Sequence, residues 1–416
     1  MNILEIINQE EKRQQEQLQM IPSENYVSKN VLRAVGSVVI NKYSEGQIGK
    51  RYYQGNENID LIESRVKQLA LKAFDLDENI WGVNVQAVSG SVANLAVYTS
   101  LLQPKDKIMG MNLYDGGHLS HGWKLPDGKK ISFTSMIFES VNYQVDPETG
   151  VFDYNLVKNK VLNEKPKILI SGGTAYPREL NHQALSEMSK QVGAYYMADI
   201  AHEAGLVLAG VNNSPFKYAD VVTMTTRKTL RGPVGAMIFA KKELMKKIDY
   251  GVFPRLQGGP PNHQIAGVGV ALEEALTLKF KQYAKQVIEN AKTLASEFIK
   301  MGYKVTSGGT DKHLLLLDLR NKNMHGHSSA IALEKANIIV NKNTVPGETS
   351  KPYYPSGLRL GTPSLTSRGM KEKEMIQIAS WINKVLQNQK DEVVLQQIGQ
   401  KVKNFALGYK VPGIDY

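Results

Sequence analysis

Three stretches of the chain hold residue types that could do chemistry together. In VVTMTTRKTLRGPVGA (residues 221–236), Lys228 closes a β-branched, apolar run between Arg227 and Thr229, with Gly232-Pro233 just beyond. In AYYMADIAHEAG (194–205), Asp199 ends another apolar run and His202 follows three residues later. In AVSGSVANLAVY (87–98), a third run ends in Ser89-Gly90-Ser91 and a helical pattern opens at about Val92. A lysine in a dry pocket has a lowered pKa and can form a Schiff base. A carboxylate at the C-terminal edge of a buried parallel strand lies where such sheets bind ligands, and it needs a positive partner. Two hydroxyls at a helix N-terminus suit a phosphate. Each has a plainer alternative: a solvated lysine, a turn-capping Asp199 beside a core histidine, a Ser91 that only caps its helix.

Taken as an ordered set, the three stretches match the needs of pyridoxal phosphate, which combines a lysine Schiff base, an acidic partner for the pyridine nitrogen and a phosphate cradle. Further candidates surround them. YDGGHLSHGW (114–123) places His118 after two glycines, where its ring could lie flat on a planar group, while His121 reads equally as structural. NKYSEGQIGKRYYQGNE (41–57) packs tyrosines, a glutamate, an arginine and glycines into a segment too irregular for a core, which suits a loop over a site or an interface. PSGLRLGTPSLTSRG (355–369) sets Arg359 on a short strand, where it could clamp a carboxylate.

The elements that must position these residues alternate. Strand-like runs at 82–88, 107–111, 167–173, 194–200, 220–226 and 235–240 are separated by amphipathic helical stretches. This pattern predicts an α/β domain with a largely parallel sheet covered on both faces. A helical pattern runs over 264–301, and runs at 313–319, 338–343 and 357–362 with a helix near SSAIALEKAN predict a smaller C-terminal α/β domain. The boundary is set near 276, giving an N-terminal arm and large domain over 1–276 and a small domain over 277–416. The first 20 residues read as a helical arm and lack the order of a secretory signal.

Composition narrows the function. The 416 residues include no cysteine, which excludes disulfides, thiolate metal sites and a cysteine nucleophile, and fits a cytoplasmic location. Hydrophobic residues make up 42% and charged residues 22%, as in soluble globular chains, and no apolar run is long enough to span a bilayer. The net charge of +11 comes from lysines scattered over helices, without a basic block interleaved with aromatics, so small anions are favoured over nucleic acid. No metal site is expected.

The motifs IPSENYVS, NKYSEG, GKRYY, SGSVANLAVY, GGHLSHGW, ADIAHEAGLVLAG, KTLRGP, QGGP and NIIVNKNTVP, in this order, resemble the serine hydroxymethyltransferase family. The resemblance implies a fold-type I transferase that uses pyridoxal 5'-phosphate, with a mostly parallel, seven-stranded-type sheet and a smaller C-terminal α/β domain. It implies that Lys228 is the Schiff-base lysine, Asp199 the partner of the pyridine nitrogen, and His118 the stacking ring. His202 neighbours the phenolic oxygen and the substrate. Ser89, Gly90 and Ser91 form the phosphate cradle, and Thr174 and Thr225 complete the cofactor wall. Tyr43 and Gly259 are implied phosphate contacts, Gly259 from the second subunit. Ser23, Tyr53 and Arg359 hold the amino acid, Glu45 is the acid/base, and Tyr52, Leu113 and Asn343 line a folate pocket.

Because Tyr43, Glu45 and Tyr53 reach across a subunit interface in this family, an obligate homodimer is implied, with a tetramer left open. The implied reaction moves the serine hydroxymethyl group to tetrahydrofolate, yielding glycine and methylenetetrahydrofolate. Alternatives are a folate-independent aldolase or transaldolase on β-hydroxy amino acids, and a weakened paralogue with a regulatory or RNA-binding role. The chain departs from the family pattern at Arg227, which replaces a histidine, and Val234, which replaces an arginine, and also in EGQIGKRYY, where Gln47-Ile48 replace Tyr-Pro, and FPRLQGGP, where Arg255 replaces a glycine. Arg227 either takes over the charge missing at 234 or reflects neutral drift.

Overall fold

The computed structural model describes residues 2–348, 350 and 353–415. Its centre is a seven-stranded sheet made of β1 (Trp81–Asn84), β2 (Lys107–Met111), β3 (Glu139–Tyr143), β4 (Ile168–Ser171), β5 (Tyr195–Asp199), β6 (Val221–Thr225) and β7 (Ala236–Lys241), in the spatial order β1-β7-β6-β5-β4-β2-β3. Strands β2 to β6 run parallel, and β7 is antiparallel to both of its neighbours. Strand β3, ESVNY, is absent from the sequence-based expectation because its polar alternation at the sheet edge carries no continuous apolar signal. The expected strand at 82–88 stops at Asn84, whose side-chain oxygen accepts the Gln86 N–H and turns the chain.

Continuous apolar runs are the signature of strands buried on both faces, and the packing shows why. Met109, Leu169, Tyr196, Ala198, Val222 and Met224 enter one core, while Ile108, Ile168, Ile170, Met197 and Val221 enter another on the opposite face. Parallel direction brings the ends at Met111, Ser171, Asp199 and Thr225 to one edge, with Asp199 in register with Thr223. The loops leaving that edge carry His118, Thr174, His202 and Lys228.

The helical pattern over 264–301 resolves into two helices, Asn262–Ala275 and Leu278–Lys300. They part at Thr277, whose hydroxyl accepts the Phe280 N–H and caps the second helix. Phe280, Tyr283, Ala284 and Val287 of the second helix pack with the large-sheet core, and Leu294, Ala295 and Phe298 with a separate C-terminal core. That core backs an antiparallel sheet in the order Lys304–Val305, Leu314–Asp318, Gly357–Gly361, Asn341–Asn343. The run at 338–343 divides: Ile338–Ile339 leaves this sheet and pairs in parallel with Leu18–Gln19, so Leu18 and Met20 are buried in the C-terminal core. The arm begins as a helix, Ile3–Glu16, closed at its start by a capping box between Asn2 and Glu5. Among the described residues no helix is long and apolar enough to cross a membrane.

The helix Gly90–Leu101 that begins at the serine pair is held from behind by the helix Lys242–Val252. They meet at Gly251, where a Cβ would collide with Ser100 Oγ and stand 2.7 Å from the Ala96 carbonyl. Gly251→Ala therefore forces the helices apart and should lower the unfolding free energy by about 1–3 kcal/mol in urea titration. An unchanged midpoint would show that this contact does not hold the Gly90–Leu101 helix.

Candidate active site

At the C-terminal edge of the large sheet, one cavity brings together nine of the expected residues: Ser89, Gly90, Ser91, His118, Thr174, Asp199, His202, Thr225 and Lys228. Gly173, Ala201 and Arg227 complete its wall. One end of the cavity lies where Ser89 caps the helix, its Oγ accepting Val92 N–H at 3.4 Å. A side chain at Gly90 would meet Thr225 Cγ2 at 2.7 Å, so the helix start and the end of β6 need glycine to approach this closely. The first N–H groups of such a helix have no partner within it and can hold an anion.

Asp199 is buried at the end of β5. Burial pushes its carboxyl upward, but hydrogen bonds reverse this and hold it well below the usual carboxylate range. His121 Nε2 donates to Oδ2 at 3.0 Å, Asn94 Nδ2 donates to Oδ2 at 2.8 Å, and the Ala201 N–H donates to Oδ1 at 3.0 Å. Asn94 also donates to Ser120 Oγ at 2.9 Å and accepts from Thr223 Oγ1 at 2.8 Å, fixing the amide from both sides. Ser120 N–H in turn donates to His118 Nδ1 at 3.2 Å. Burial, reinforced by the neighbouring His121, lowers His118 to about 4, so its ring is neutral near pH 7. His118, His121 and Asp199 bring ligand-type atoms within 4.8 Å of one another. Donors from Asn94 and Ser120 already point at Asp199 Oδ2 and His118 Nδ1, which suits a hydrogen-bond network better than a metal.

Lys228 is buried on the turn after β6. Burial draws its ammonium down to about 8; Asp199 opposes that shift, while Arg359 and Arg227 add to it. Its carbonyl accepts from Asn25 Nδ2 at 2.9 Å, and Thr226 Oγ1 donates to the Pro233 carbonyl at 2.6 Å, closing the turn that Gly232-Pro233 signals in the sequence. Arg359, buried on the strand Gly357–Gly361, donates to Asn341 Oδ1 at 2.9 Å and to the Thr174 carbonyl at 2.5 Å. Burial lowers it to about 10, so it stays a cation beside the cavity. Thr174 Oγ1 donates to the carbonyls of Gly116 (3.3 Å) and Gly117 (3.2 Å).

The other expected residues gather elsewhere. Tyr43 Oη donates to Glu45 Oε1 at 3.1 Å and its ring meets Tyr53 edge-on at 5.3 Å. A Cβ on Gly259 would lie 3.0 Å from the Tyr43 ring, so the QGGP turn packs on this group. Tyr43, Tyr52 and Tyr53 are 56%, 71% and 48% exposed, and none of them, nor Glu45 or Gly259, lines the Lys228 cavity. The hairpin that carries them hangs on Arg51, which donates to the carbonyls of Ser44 (3.0 Å) and Gly46 (2.7 Å) and is paired with buried Glu63 at 2.6 Å. Ser23 lines an adjoining cavity with Arg13, Glu24, Arg227 and Val234. Arg227 thus borders both cavities, and Arg227 and Val234 face one common space. Of the residues expected at a folate pocket, Tyr52 meets Phe253 at 5.8 Å, Leu113 lies on a 3-10 turn, and Asn343 donates to the Thr344 carbonyl at 2.7 Å; none of the three lines the Lys228 cavity.

Sequence reasoning does not single out Asn94, His313, or the buried ion pair between Lys312 Nζ and Glu203 Oε2 at 2.6 Å. The available signal is a polar residue inside an apolar pattern, as Asn94 is in SVANLAVY, and it says nothing of the partner. Removing such a residue leaves its partners unpaired. Asn94→Ala should lower stability by about 1–3 kcal/mol, measured by denaturant titration, and should raise the Asp199 carboxyl pKa. Wild-type stability would remove Asn94 from the group that holds Asp199.

With the geometry established, comparison with known proteins bears on identity. The serine hydroxymethyltransferase family model matches residues 1–382. The serine hydroxymethyltransferase of Desulfotalea psychrophila is 48% identical over 414 residues, covering 100% of this chain and 95% of that protein. The cytosolic serine hydroxymethyltransferase of Oryctolagus cuniculus is 44% identical over 451 residues, covering 99% and 93%. The mitochondrial one of Kluyveromyces lactis is 45% identical over 396 residues, covering 92% and 79%. The lysine cavity at the sheet edge, the sheet order and these matches agree, and the chain belongs to the serine hydroxymethyltransferase family of fold-type I transferases.

Proposed function

We propose that the chain catalyses the reversible transfer of the serine hydroxymethyl group to tetrahydrofolate, giving glycine and 5,10-methylenetetrahydrofolate, with pyridoxal 5'-phosphate held in the Lys228 cavity. The observation that carries the reading is one cavity lined by a helix N-terminus, a buried Asp199 carboxylate and a buried Lys228 amine, with Arg359 reaching the carbonyl of Thr174 in its wall. These residues fit the cofactor: Gly90 leaves room at the cradle that a Cβ would fill, and the Asp199 charge matches a protonated pyridine nitrogen. When bound, the cofactor supplies an electron sink for the pair released at the substrate α-carbon.

The chain's own residues do the rest. Lys228, lowered toward neutrality, offers an amine to the cofactor's aldehyde. Asp199 stays ionised and holds the ring proton in place, and His118 offers a neutral ring to stack on. Arg359 presents a cation to the substrate carboxylate, with Ser23 and Tyr53 as further contacts and His202 beside the same group. Glu45 is the acid/base at the hydroxymethyl oxygen. Exposed Tyr43 and Tyr53 and half-buried Glu45 and Gly259 form a group apart from the cavity, which supports a homodimer in which each subunit completes its partner's site; two such dimers would make a tetramer. Tyr52, Leu113 and Asn343 are proposed folate contacts. The shared space facing Arg227 and Val234 supports relocation of one charge from 234 to 227. The proposed location is the cytoplasm, and the proposed division is 1–276 and 277–416, supported by the helix break at Thr277, with Phe280 to Val287 still packed on the large-sheet core and Leu18 and Met20 on the C-terminal one.

Two measurements test this reading. Protein mixed with pyridoxal phosphate should gain a visible absorption band that borohydride abolishes and that Lys228→Ala lacks. Because only the neutral amine attacks, the rate of that gain should rise with pH through about 8. A midpoint near the ordinary lysine value of about 10.4 would place Lys228 in water, outside the cavity.

In the second, Glu45→Gln should lower kcat for folate-dependent transfer by about 10²–10⁴-fold while leaving the absorption band intact. If the wild-type protein cleaves β-hydroxy amino acids at a rate indifferent to tetrahydrofolate, and glycine plus tetrahydrofolate produces no spectral change, the chain is an aldolase and the folate assignment fails.

A further inference from the structure

His202 does not stand alone at the cavity wall. Its Nδ1 lies 3.2 Å from His313 Nε2, the two rings inclined by 22° with centroids 5.4 Å apart. His313 is fully buried, and its Nδ1 has no hydrogen-bond partner among the described residues. Burial and the cations around them, Lys228, Arg359 and Lys312, keep both rings far below the usual histidine range, so both are neutral.

Two neutral rings can share one hydrogen bond in two ways. If His202 Nδ1–H donates, the proton of His313 must sit on Nδ1, an N–H buried with no acceptor. If His313 Nε2–H donates, Nδ1 of His313 is only a bare lone pair. An orphaned buried N–H is the rarer and costlier defect. The second arrangement therefore prevails, and it forces the proton of His202 onto Nε2. His202 lines the cavity, and its Nε2 is not among the buried atoms without a partner.

The surrounding backbone is built to hold this pair. Glu203 and Lys312, each one residue from a ring, form a buried ion pair at 2.6 Å. Thr362 N–H donates to the His313 carbonyl at 3.0 Å, and Thr229 Oγ1, one residue beyond Lys228, donates to the His202 carbonyl at 2.9 Å. A buried ion pair is a poor source of net stability, but separating its partners leaves an uncompensated buried charge, which keeps the two segments together.

We propose that His313 is a positioning residue that makes His202 a permanent hydrogen-bond donor, through Nε2–H, to an anionic oxygen of the ligand in the Lys228 cavity. The proposal rests on the reading that this cavity takes pyridoxal phosphate and an amino acid, whose phenolate and carboxylate oxygens are the acceptors available.

The test is long-range ¹H–¹⁵N correlation of ¹⁵N-histidine-labelled holoprotein, with His202→Asn assigning the ring among the 8 histidines. Wild type should show His202 protonated at Nε2 and bare at Nδ1. His313→Leu, which keeps bulk without a donor, should release that tautomer and lower kcat/KM for serine by about 10- to 100-fold. His313→Gln, whose amide can donate from the same reach, should restore both within about 3-fold. A wild-type His202 carrying its proton on Nδ1, or a tautomer unmoved by His313→Leu, would overturn the proposal, and the wild-type spectrum alone decides it if the leucine variant fails to fold. Correct tautomers in a protein without folate-dependent transfer would instead remove the functional reading and leave the positioning role standing.

Discussion

The buried carboxylate of Asp199 is the constraint on which the rest of this structure depends. An anion at the end of a sheet strand, out of water, is tolerated only when donors surround it. Here a side-chain amide, an imidazole and a backbone N–H do so. Meeting that demand dictates the neighbourhood. Asn94 must stand on the inner face of the helix after β1, Thr223 must hold it from β6, and the loop after β2 must return His121 to the strand end. The loop that brings His121 also brings His118, and the helix that carries Asn94 begins at the serine pair. A charge kept in place by four elements thus assembles the serine-capped helix start, the His118 ring and the lysine turn around itself.

Cations are managed by the same logic in reverse. Lys228 and Arg359 are both buried and both lowered by burial, and neither is neutralised by a direct carboxylate contact among the described residues. A cavity lined by Lys228 and Arg227, with the Arg359 cation beside it and its one carboxylate already satisfied, favours ligands bearing negative charge. The net charge of +11 creates no such local field, since the surface lysines are spread over many helices.

The C-terminal region is not a passive appendage. Arg359 reaches the Thr174 carbonyl, Lys312 pairs with Glu203, and Asn25 ties the N-terminal segment to the lysine turn. Each link joins segments more than 100 residues apart, so site geometry depends on how the antiparallel sheet docks on the large one. Glycine is required at Gly172, where φ is +112° and a Cβ would collide with the Asp199 carbonyl.

Much of this was legible in the residues themselves. Strands buried on both faces must be apolar throughout, so β2, β4, β5, β6 and β7 stand out, and residues that end them, such as Asp199, or begin the next helix, such as Ser89, mark the ligand edge. Edge strand β3 escaped because half of its surface is wet, and the helix break at Thr277 because a capping hydroxyl in a polar helix looks like any other threonine. Local chemistry determined which residues could serve: an amine, a carboxylate, a hydroxyl pair, a guanidinium. Only the tertiary structure decided which partners make them serve. That His121 and Asn94 keep Asp199 ionised, that His313 meets His202, and that Glu45 sits with Tyr43 apart from the lysine cavity are contacts between distant segments. Periodicity and spacing report how a segment meets solvent and core, whereas such contacts arise from the docking of whole elements.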